Sequence, residues 1–243
     1  MLNNKTIMVL GAGGLLGGKV VEAIVANNGQ VIAVDINTAS ITKHESVKCF
    51  NLDVTNEEEV KALFNSSLNI QGLVNCSYPR NQQYGQSFFD VSLSSFNENI
   101  NLHLGSSFLV MQQCAAYFKR EKSEFSLVNL ASIYGVVAPD FSIYNNTKMT
   151  MPVEYAAIKS AIIHLNKYVS EFVGDSKFRV NSVSPGGILD SQPDTFIKAY
   201  AEHTHGQGML SPHQVCGSIV FLLSDNSQYI TGQNIVVDDG FCL

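Results

Sequence analysis

The stretch K-T-I-M-V-L-G-A-G-G-L-L-G-G, residues 5 to 18, decides the fold class. Its first half, Lys5–Leu10, is an apolar run of strand length, and its second half is rich in glycine. A helical pattern over Leu15–Asn27 follows at once. Glycines between a strand and a helix permit a tight turn, and they let backbone N–H groups approach a phosphate at the helix N-terminus. The stretch therefore predicts a dinucleotide-binding unit.

The spacing of the glycines indicates which residues would hold a pyrophosphate. Gly11, Gly14 and Gly17 are three residues apart, a variant of G-x-G-x-x-G in which Leu16 takes the third glycine position. We predict cofactor contacts for these three glycines and for Leu15 and Leu16, which begin the predicted helix.

Acidic residues follow the next two predicted strands. Asp35 ends the second strand, where a carboxylate can accept hydrogen bonds from the adenosine ribose hydroxyls and would repel a 2′-phosphate. This position favours NAD over NADP. Asp53 and Val54 follow the third strand, where an acid could meet the adenine edge.

Short apolar runs alternate with helical patterns along the whole chain. The predicted strands are Lys5–Leu10, Val31–Val34, Val47–Leu52, Leu73–Cys76, Phe125–Leu130, Arg179–Ser184 and Asn234–Val237. The predicted helices are Leu15–Asn27, Glu57–Phe64, Leu93–Phe118, Val153–Val173 and Pro212–Leu223. This alternation predicts an α/β fold, a doubly wound parallel sheet of about seven strands with helices on both faces. We expect a single domain over residues 1–243, with site loops or lids at Val136–Pro152 and Gly186–Met209.

Composition excludes several classes of function. With 15 Lys and Arg against 21 Asp and Glu, the net charge is −6, which argues against nucleic-acid binding. No apolar run approaches the roughly 18 to 20 residues of a membrane span, and the first residues lack the pattern of a signal peptide. The cytoplasm is therefore expected. The five cysteines and six histidines are scattered without metal-ligand spacing, so no metal is expected.

A tyrosine and a lysine share one face of the predicted helix Val153–Val173. Tyr155 and Lys159 are four residues apart, so the ammonium can sit near the phenol. Free tyrosine has a pKa of about 10, and a nearby cation lowers it, which suits a general acid or base. Ser132 follows the fifth strand and could hydrogen-bond the reacting oxygen.

These motifs together resemble the short-chain dehydrogenase/reductase family over essentially the whole chain. The resemblance rests on the glycine turn, Asp53-Val54, Ala131-Ser132, Tyr155 to Lys159, Arg179 to Gly186, and Ile230 to Gly240. It implies an NAD(P)-dependent oxidoreductase that moves hydride to or from a hydroxyl or keto carbon, with Ser132, Tyr155 and Lys159 as catalytic residues. It also implies that Lys159 holds the nicotinamide ribose, and that Asn75, Cys76, Ser77, Pro185, Gly186 and Ile188 contact the cofactor.

A second tyrosine–lysine pair, Tyr144 and Lys148, competes for the catalytic role. The family's usual spacing from the serine favours Tyr144, whereas the spacing from Tyr155 to Asn181 matches the family's helix and strand. Pro152 would also break a helix that began at Tyr144. We therefore predict Tyr155, with an insertion of about ten residues in the loop before it.

Two positions depart from the family pattern. Asn75-Cys76-Ser77-Tyr78 stands where the family has Asn-Asn-Ala-Gly, so a bulky ring is brought to the cofactor's edge. The family's lysine-supporting Asn falls on His103 by spacing. Either His103 takes that role, or the helix shifts and Asn101 serves.

The substrate is predicted less directly than the chemistry. The candidate walls are Tyr78, Arg80, Tyr134, the insertion Asp140–Met151 and the loop Leu189–Met209. Their polar character suits a hydroxylated small molecule. Tyr78-Pro79-Arg80 with the long insertion looks like bacterial members linked to surface-polysaccharide or flagellin-glycan modification. A sugar or sugar phosphate is the main hypothesis, and Arg80 could pair with a phosphate. The alternatives are a carbonyl (3-oxoacyl-like) reductase and a non-catalytic dinucleotide-binding sensor. The resemblance also implies a homo-oligomer, a tetramer or a dimer.

Overall fold

One parallel sheet of seven strands organises the computed structural model, which describes residues 1–66 and 68–243. The strands are β1 (Thr6–Leu10), β2 (Gln30–Asp35), β3 (Val47–Asn51), β4 (Gly72–Asn75), β5 (Phe125–Leu130), β6 (Phe178–Pro185) and β7 (Asn234–Val237). Their order across the sheet is β3-β2-β1-β4-β5-β6-β7, and all neighbouring pairs are parallel. The predicted doubly wound α/β fold is confirmed.

Helices cover both faces of this sheet. They are α1 (Leu15–Ala26), α2 (Glu57–Asn65), α3 (Leu93–Asn99), α4 (Ser106–Glu121), α5 (Val153–Val173), α6 (Asp194–Ala201) and α7 (Pro212–Leu223). Helices α1 and α7 bury their apolar residues against one face, and α2, α4 and α5 against the other. The continuous burial of β4, β5 and β6 follows from this cover, because a parallel sheet between two helical layers has no solvated side.

Two elements differ from the sequence prediction. The expected helix Leu93–Phe118 is interrupted by a π-helical segment, Ile100–Gly105, between α3 and α4. The segment Gly186–Met209, expected to be irregular, contains α6, whose Phe196 and Tyr200 are buried. These two side chains are one helical turn apart, so they lie on the same face of the helix. Their burial stabilises a helix that is too short to be stable alone.

The order of the strands in the sheet indicates where a ligand would bind. The chain runs from β1 outward to β2 and β3, and then returns to the other side of β1 with β4. Ligands of open parallel sheets bind beyond the carboxyl ends of the strands at such a reversal. The turns after β1, β4, β5 and β6 therefore meet at one crevice.

Candidate active site

The turn between β1 and α1 depends on glycines whose backbone conformation or close packing excludes a side chain. Gly11 has a φ of +72°, a conformation that favours glycine. A Cβ on Gly17 would lie 2.0 Å from the carbonyl oxygen of Gly11, so only glycine lets the helix approach the turn. Gly14 begins α1 without a side-chain cap in the described part of the chain. The first N–H groups of α1 can therefore donate to a phosphate, which fits the pyrophosphate of a dinucleotide.

Asp35 lies at the end of β2 directly beside this turn. One carboxylate oxygen accepts the Gly13 N–H at 2.9 Å and the other accepts the Asn37 N–H at 2.9 Å. The acid is thus held in place at the turn. Asp53 has a local role in the structure, because Oδ1 accepts both the N–H and the hydroxyl of Thr55. Val54 is buried in the core beneath the sheet edge.

A cleft of about 660 Å³ brings most of the predicted site residues together. Gly14, Leu15, Leu16 and Gly17 line it, as do Cys76, Ser77, Ser132, Tyr155, Lys159, Pro185, Gly186 and Ile188. Gly11, Asp35, Asp53, Val54, Asn75 and His103 lie outside this lining. Asn75 acts from behind it, since its Oδ1 accepts the Ser77 N–H at 3.2 Å and the Ser77 hydroxyl at 2.6 Å.

Ser132, Tyr155 and Lys159 come from two elements that meet at the centre of the cleft. Ser132 follows β5, and its Oγ accepts the N–H of Tyr134 at 3.2 Å. Tyr155 and Lys159 occupy successive turns at the start of α5, and Lys159 Nζ lies 5.5 Å from the centre of the Tyr155 ring. The ammonium donates to the carbonyl of Leu130 at 2.7 Å.

Burial has the largest effect on the pKa values of Lys159 and Tyr155. It lowers the pKa of Lys159 to about 8. It raises the pKa of the Tyr155 phenol, and the Ser132 hydroxyl lowers that pKa only in part. The expectation that the lysine lowers the pKa of the tyrosine is wrong in this structure. The reason is burial of the phenol, which is the largest cause of the raised pKa.

His103 lies behind Lys159 on the π-helical segment. The imidazole is buried, and its Nε2 is 3.5 Å from Lys159 Nζ. Burial, Lys159 and Arg80 hold the pKa of His103 well below its usual value. A neutral imidazole can accept a hydrogen bond from an ammonium. Asn101 is exposed, so of the two candidates His103 is the one the fold brings to the lysine.

Tyr78 fills the position that the family pattern leaves to glycine. Its ring packs edge-on against Tyr155 and His103, with centroid distances of 5.7 and 5.0 Å. Its hydroxyl is hydrogen-bonded to that of Tyr84. The predicted bulky ring therefore lies against the catalytic candidate itself.

Tyr144 and Lys148 form no helical pair. Tyr144 ends a short 3₁₀ turn, Phe141–Tyr144, and its hydroxyl donates to that of Tyr134 at 3.3 Å. Lys148 is exposed. Pro152 instead precedes the first residue of α5, as the helix-breaking argument predicts.

An aromatic cluster lines part of the cleft, and its members Tyr144, Phe196 and Tyr200 fall in predicted wall segments, although their mutual packing was not predicted. Tyr200 stacks on Phe241 with centroids 4.4 Å apart, and Tyr144 packs on Phe196 at 5.1 Å. The Tyr200 hydroxyl accepts the Gly187 N–H at 2.7 Å. These residues are far apart in sequence, and the one available signal was the pair Phe196 and Tyr200 at helical spacing.

A family model described as enoyl-(acyl carrier protein) reductase matches residues 13–242. The chain belongs to the short-chain dehydrogenase/reductase family. It is 38% identical to post-translational flagellin modification protein A of Campylobacter coli, with both chains covered completely. It is 29% identical to a 2,5-dichloro-2,5-cyclohexadiene-1,4-diol dehydrogenase of Sphingobium indicum, over 99% of this chain and 98% of the other.

Solved structures agree with this assignment. A short-chain dehydrogenase of Leptospira borgpetersenii with bound NAD⁺ superposes with a TM-score of 0.89 at 31% identity, over 100% of this chain and 94% of the other. This short-chain dehydrogenase/reductase is therefore an NAD(P)-dependent oxidoreductase. Within the described residues, no helix combines the length and the apolar character needed to cross a bilayer.

Proposed function

We propose that this enzyme uses NAD to oxidise or reduce a hydroxyl or keto carbon of a sugar or sugar phosphate in surface-glycan biosynthesis. The observation that carries the proposal is one cleft, lined by Ser132, Tyr155 and Lys159 together with the glycine turn and several tyrosines. A hydroxylated substrate suits that lining, because tyrosine offers both an apolar ring and a hydrogen-bonding hydroxyl.

Each catalytic residue has a distinct role in this proposal. When bound, the nicotinamide supplies the hydride acceptor or donor. In the oxidation direction, the Tyr155 phenolate takes the hydroxyl proton, and the Ser132 hydroxyl holds the reacting oxygen. Lys159 would hold the nicotinamide ribose and place its positive charge beside the phenolate, and His103 supports Lys159 through its Nε2.

The preference for NAD is supported by Asp35. Its carboxylate is fixed beside the glycine turn by Gly13 and Asn37, where it would repel a 2′-phosphate. The NAD⁺ bound by the Leptospira relative supports the same choice. Asp53 and Val54 have local roles instead, because Asp53 Oδ1 is bound by Thr55 and Val54 is buried in the core.

The choice of substrate is supported by the flagellin modification relative and by the cleft lining. A 3-oxoacyl-like reductase would favour an aliphatic lining from the loop Leu189–Met209. That segment instead contributes Asp190, Gln192, Phe196, Tyr200 and Met209. A non-catalytic sensor would have no need to keep Ser132, Tyr155 and Lys159 in one cleft.

Turnover of candidate sugars tests the proposal. We expect NADH formation, followed at 340 nm, with neutral, phosphorylated or nucleotide-linked sugars, and slower reaction with NADP. Tyr155→Phe should reduce kcat about 10³-fold while NAD affinity is retained, because only the proton-transfer group is removed. Turnover confined to acyl substrates, or cofactor binding without turnover on the whole panel, would contradict it.

A homo-oligomer and cytoplasmic residence complete the proposal. Phe108 on α4 and Tyr168 and Phe172 on α5 are 51%, 63% and 63% exposed, which supports pairing of copies through these helices. Light scattering on the purified chain should give a dimer or a tetramer, and a monomer at micromolar concentration would contradict this part.

A further inference from the structure

The three arginines of the chain differ in what they bind. Arg179 is buried and donates to the Ser227 hydroxyl and to the carbonyls of Ser224 and Ile230. Arg120 pairs with Glu121 and donates to the carbonyl of Phe64. Within residues 1–66 and 68–243, Arg80 makes neither an ion pair nor a hydrogen bond, although it lines the cleft.

Arg80 is held close to the catalytic tyrosine by stacking. Its guanidinium carbon lies 4.9 Å from the centre of the Tyr78 ring, and that ring centre lies 5.7 Å from the centre of the Tyr155 ring. The guanidinium carbon therefore lies no farther from the Tyr155 ring centre than these two distances together, a span that a six-membered ring with one substituent can bridge. A substrate whose reacting carbon is at Tyr155 would thus place a substituent at Arg80.

A buried polar network fixes the backbone beside Arg80. The N–H of the next residue, Asn81, donates to Asn99 Oδ1 at 2.9 Å. Asn99 Nδ2 in turn donates to Glu154 Oε1 at 3.3 Å. Glu154 is fully buried and directly precedes Tyr155, so the network ties the Arg80 segment to the first turn of α5.

Two acids are part of the same network, each through one carboxylate oxygen. Glu98 accepts the amide of Asn81 at 2.7 Å, and Glu154 accepts that of Asn99. Neither acid forms an ion pair with Arg80 within the described residues, so the exposed guanidinium lines the cleft with its donors free, in a chain whose net charge is −6. An unpaired, pre-positioned guanidinium is suited to bidentate binding of a carboxylate or a phosphate.

We propose that Arg80, stacked on Tyr78, is an anion subsite, and that the substrate carries a carboxylate or phosphate group on the part of the molecule away from the reacting carbon. This inference rests on the proposed function, since it names the class of substrate that the same cleft accepts. The network from Asn81 to Glu154 keeps the subsite at a set distance from Tyr155.

Binding of matched sugars to the NAD-loaded full chain tests the subsite. The probes are glucose, glucuronate and glucose 6-phosphate, which share a ring and differ in the anionic group, measured by calorimetry at low ionic strength. We expect at least one anionic sugar to bind about tenfold or more tightly than glucose, with the difference shrinking as salt rises. The probe with the larger gain distinguishes carboxylate from phosphate.

Arginine variants then assign the effect to Arg80. Arg80→Gln should bring the anionic and neutral probes within about twofold of each other, and Arg80→Lys should keep part of the difference, because charge remains while the planar fork is lost. Arg120→Gln is the matched control, another arginine over a tyrosine ring but outside the cleft, and should keep the full difference.

The outcomes separate this inference from the proposed function. Equal binding of all three probes by the wild type, or an unchanged preference in Arg80→Gln, would overturn the subsite. Turnover of neutral sugars with no anion preference would reject the subsite and leave the proposed function standing. An Arg80-dependent preference without turnover of any sugar would support the subsite and count against the proposed reaction.

Discussion

The two sides of the cleft are built in different ways. The glycine wall, residues 14 to 17 with Gly11 packed behind it, is a single stretch of backbone whose shape follows from short-range geometry. The aromatic wall consists of Tyr134, Tyr144, Phe196 and Tyr200, backed by Phe241, and its members come from four separate segments. A backbone wall has little room to adjust, whereas a wall of packed side chains can rearrange. We therefore expect abrupt effects on the first and graded effects on the second.

The largest effect is expected at Gly17 in the glycine wall. In Gly17→Ala the new Cβ would lie 2.0 Å from the Gly11 carbonyl oxygen, so β1 and α1 must separate. We expect NAD affinity to fall at least about 100-fold and the free energy of unfolding to fall by about 3 kcal/mol. Calorimetry with NAD and thermal unfolding would measure both.

Gly18→Ala is the matched control for that substitution. Its Cβ would lie 3.7 Å from the Ala12 carbonyl oxygen, an ordinary contact, and alanine favours the helix. We expect unchanged NAD binding and equal or greater stability. Similar losses in both variants would show that the wall depends on glycine content rather than on one close approach.

Lys159 is expected to be needed for turnover while its burial lowers the stability of the fold. Because burial lowers its pKa from 10.5 to about 8, the folded state carries a penalty for the charge at pH 7. Lys159→Met should abolish turnover and raise the unfolding free energy by roughly 1–3 kcal/mol, less what the lost hydrogen bond to Leu130 contributed.

The sign of the pH dependence tests the cause of that gain. Between pH 8 and 10.5 the unfolded wild type holds more protons at this lysine, so this group makes the wild type more stable as pH rises. The gain of Lys159→Met should therefore shrink between pH 7 and 9.5 in denaturant titrations. Substitution of the exposed Lys148 by Met is the control. A gain independent of pH would point to packing instead.

Phe241→Ala tests whether the aromatic wall is independent of the glycine wall. The variant loses the stack on Tyr200, and we expect a loss of about 1–2 kcal/mol in unfolding free energy and weaker substrate binding, with NAD affinity unchanged. Substitution of Phe89, which is 94% exposed, by Ala should change neither. An equal loss of NAD affinity in Phe241→Ala would remove the distinction between the walls.

The smallest effect is expected at Asp239, which holds the loop after α6. Its carboxylate accepts the N–H groups of Gly206, Gln207 and Gly208, and these bonds lower the pKa of Asp239. A lowered pKa means that the stabilisation is present near neutral pH and is lost as pH falls through that lowered value. Asp239→Asn should be slightly less stable at pH 7, and the difference from the wild type should vanish in acid.

The contrast between the walls also explains what could be predicted from the sequence. The seven strands were predictable because each is a short apolar run between turn signals, and β5 and β7 have the predicted bounds. The glycine wall was predictable because its meaning lies in consecutive residues. Helix α6 was missed because eight residues with two buried aromatics contain too little periodicity.

Long-range packing limited the prediction of the site. Glu154 looks like an ordinary first-turn acid, and only the fold shows it buried beside Asn99. His103 could be identified from the family's spacing, but whether it or Asn101 faces Lys159 depends on the π-helical segment between α3 and α4. The pKa of Tyr155 was mispredicted because burial of the phenol is invisible in the motif.

The π-helical segment Ile100–Gly105 sets how α3 is rotated relative to α4, so the number of residues in this region matters as well as their identity. A π turn holds one residue more than the α turn it replaces, and one residue corresponds to about 100° of rotation in an α-helix. Deleting a single residue there would restore regular pairing but rotate α3 against α4. Either the His103 imidazole would move away from Lys159, or the apolar face of α4 would move out of the core. A relative with a one-residue deletion at this point is therefore expected to have a different environment around its active-site lysine.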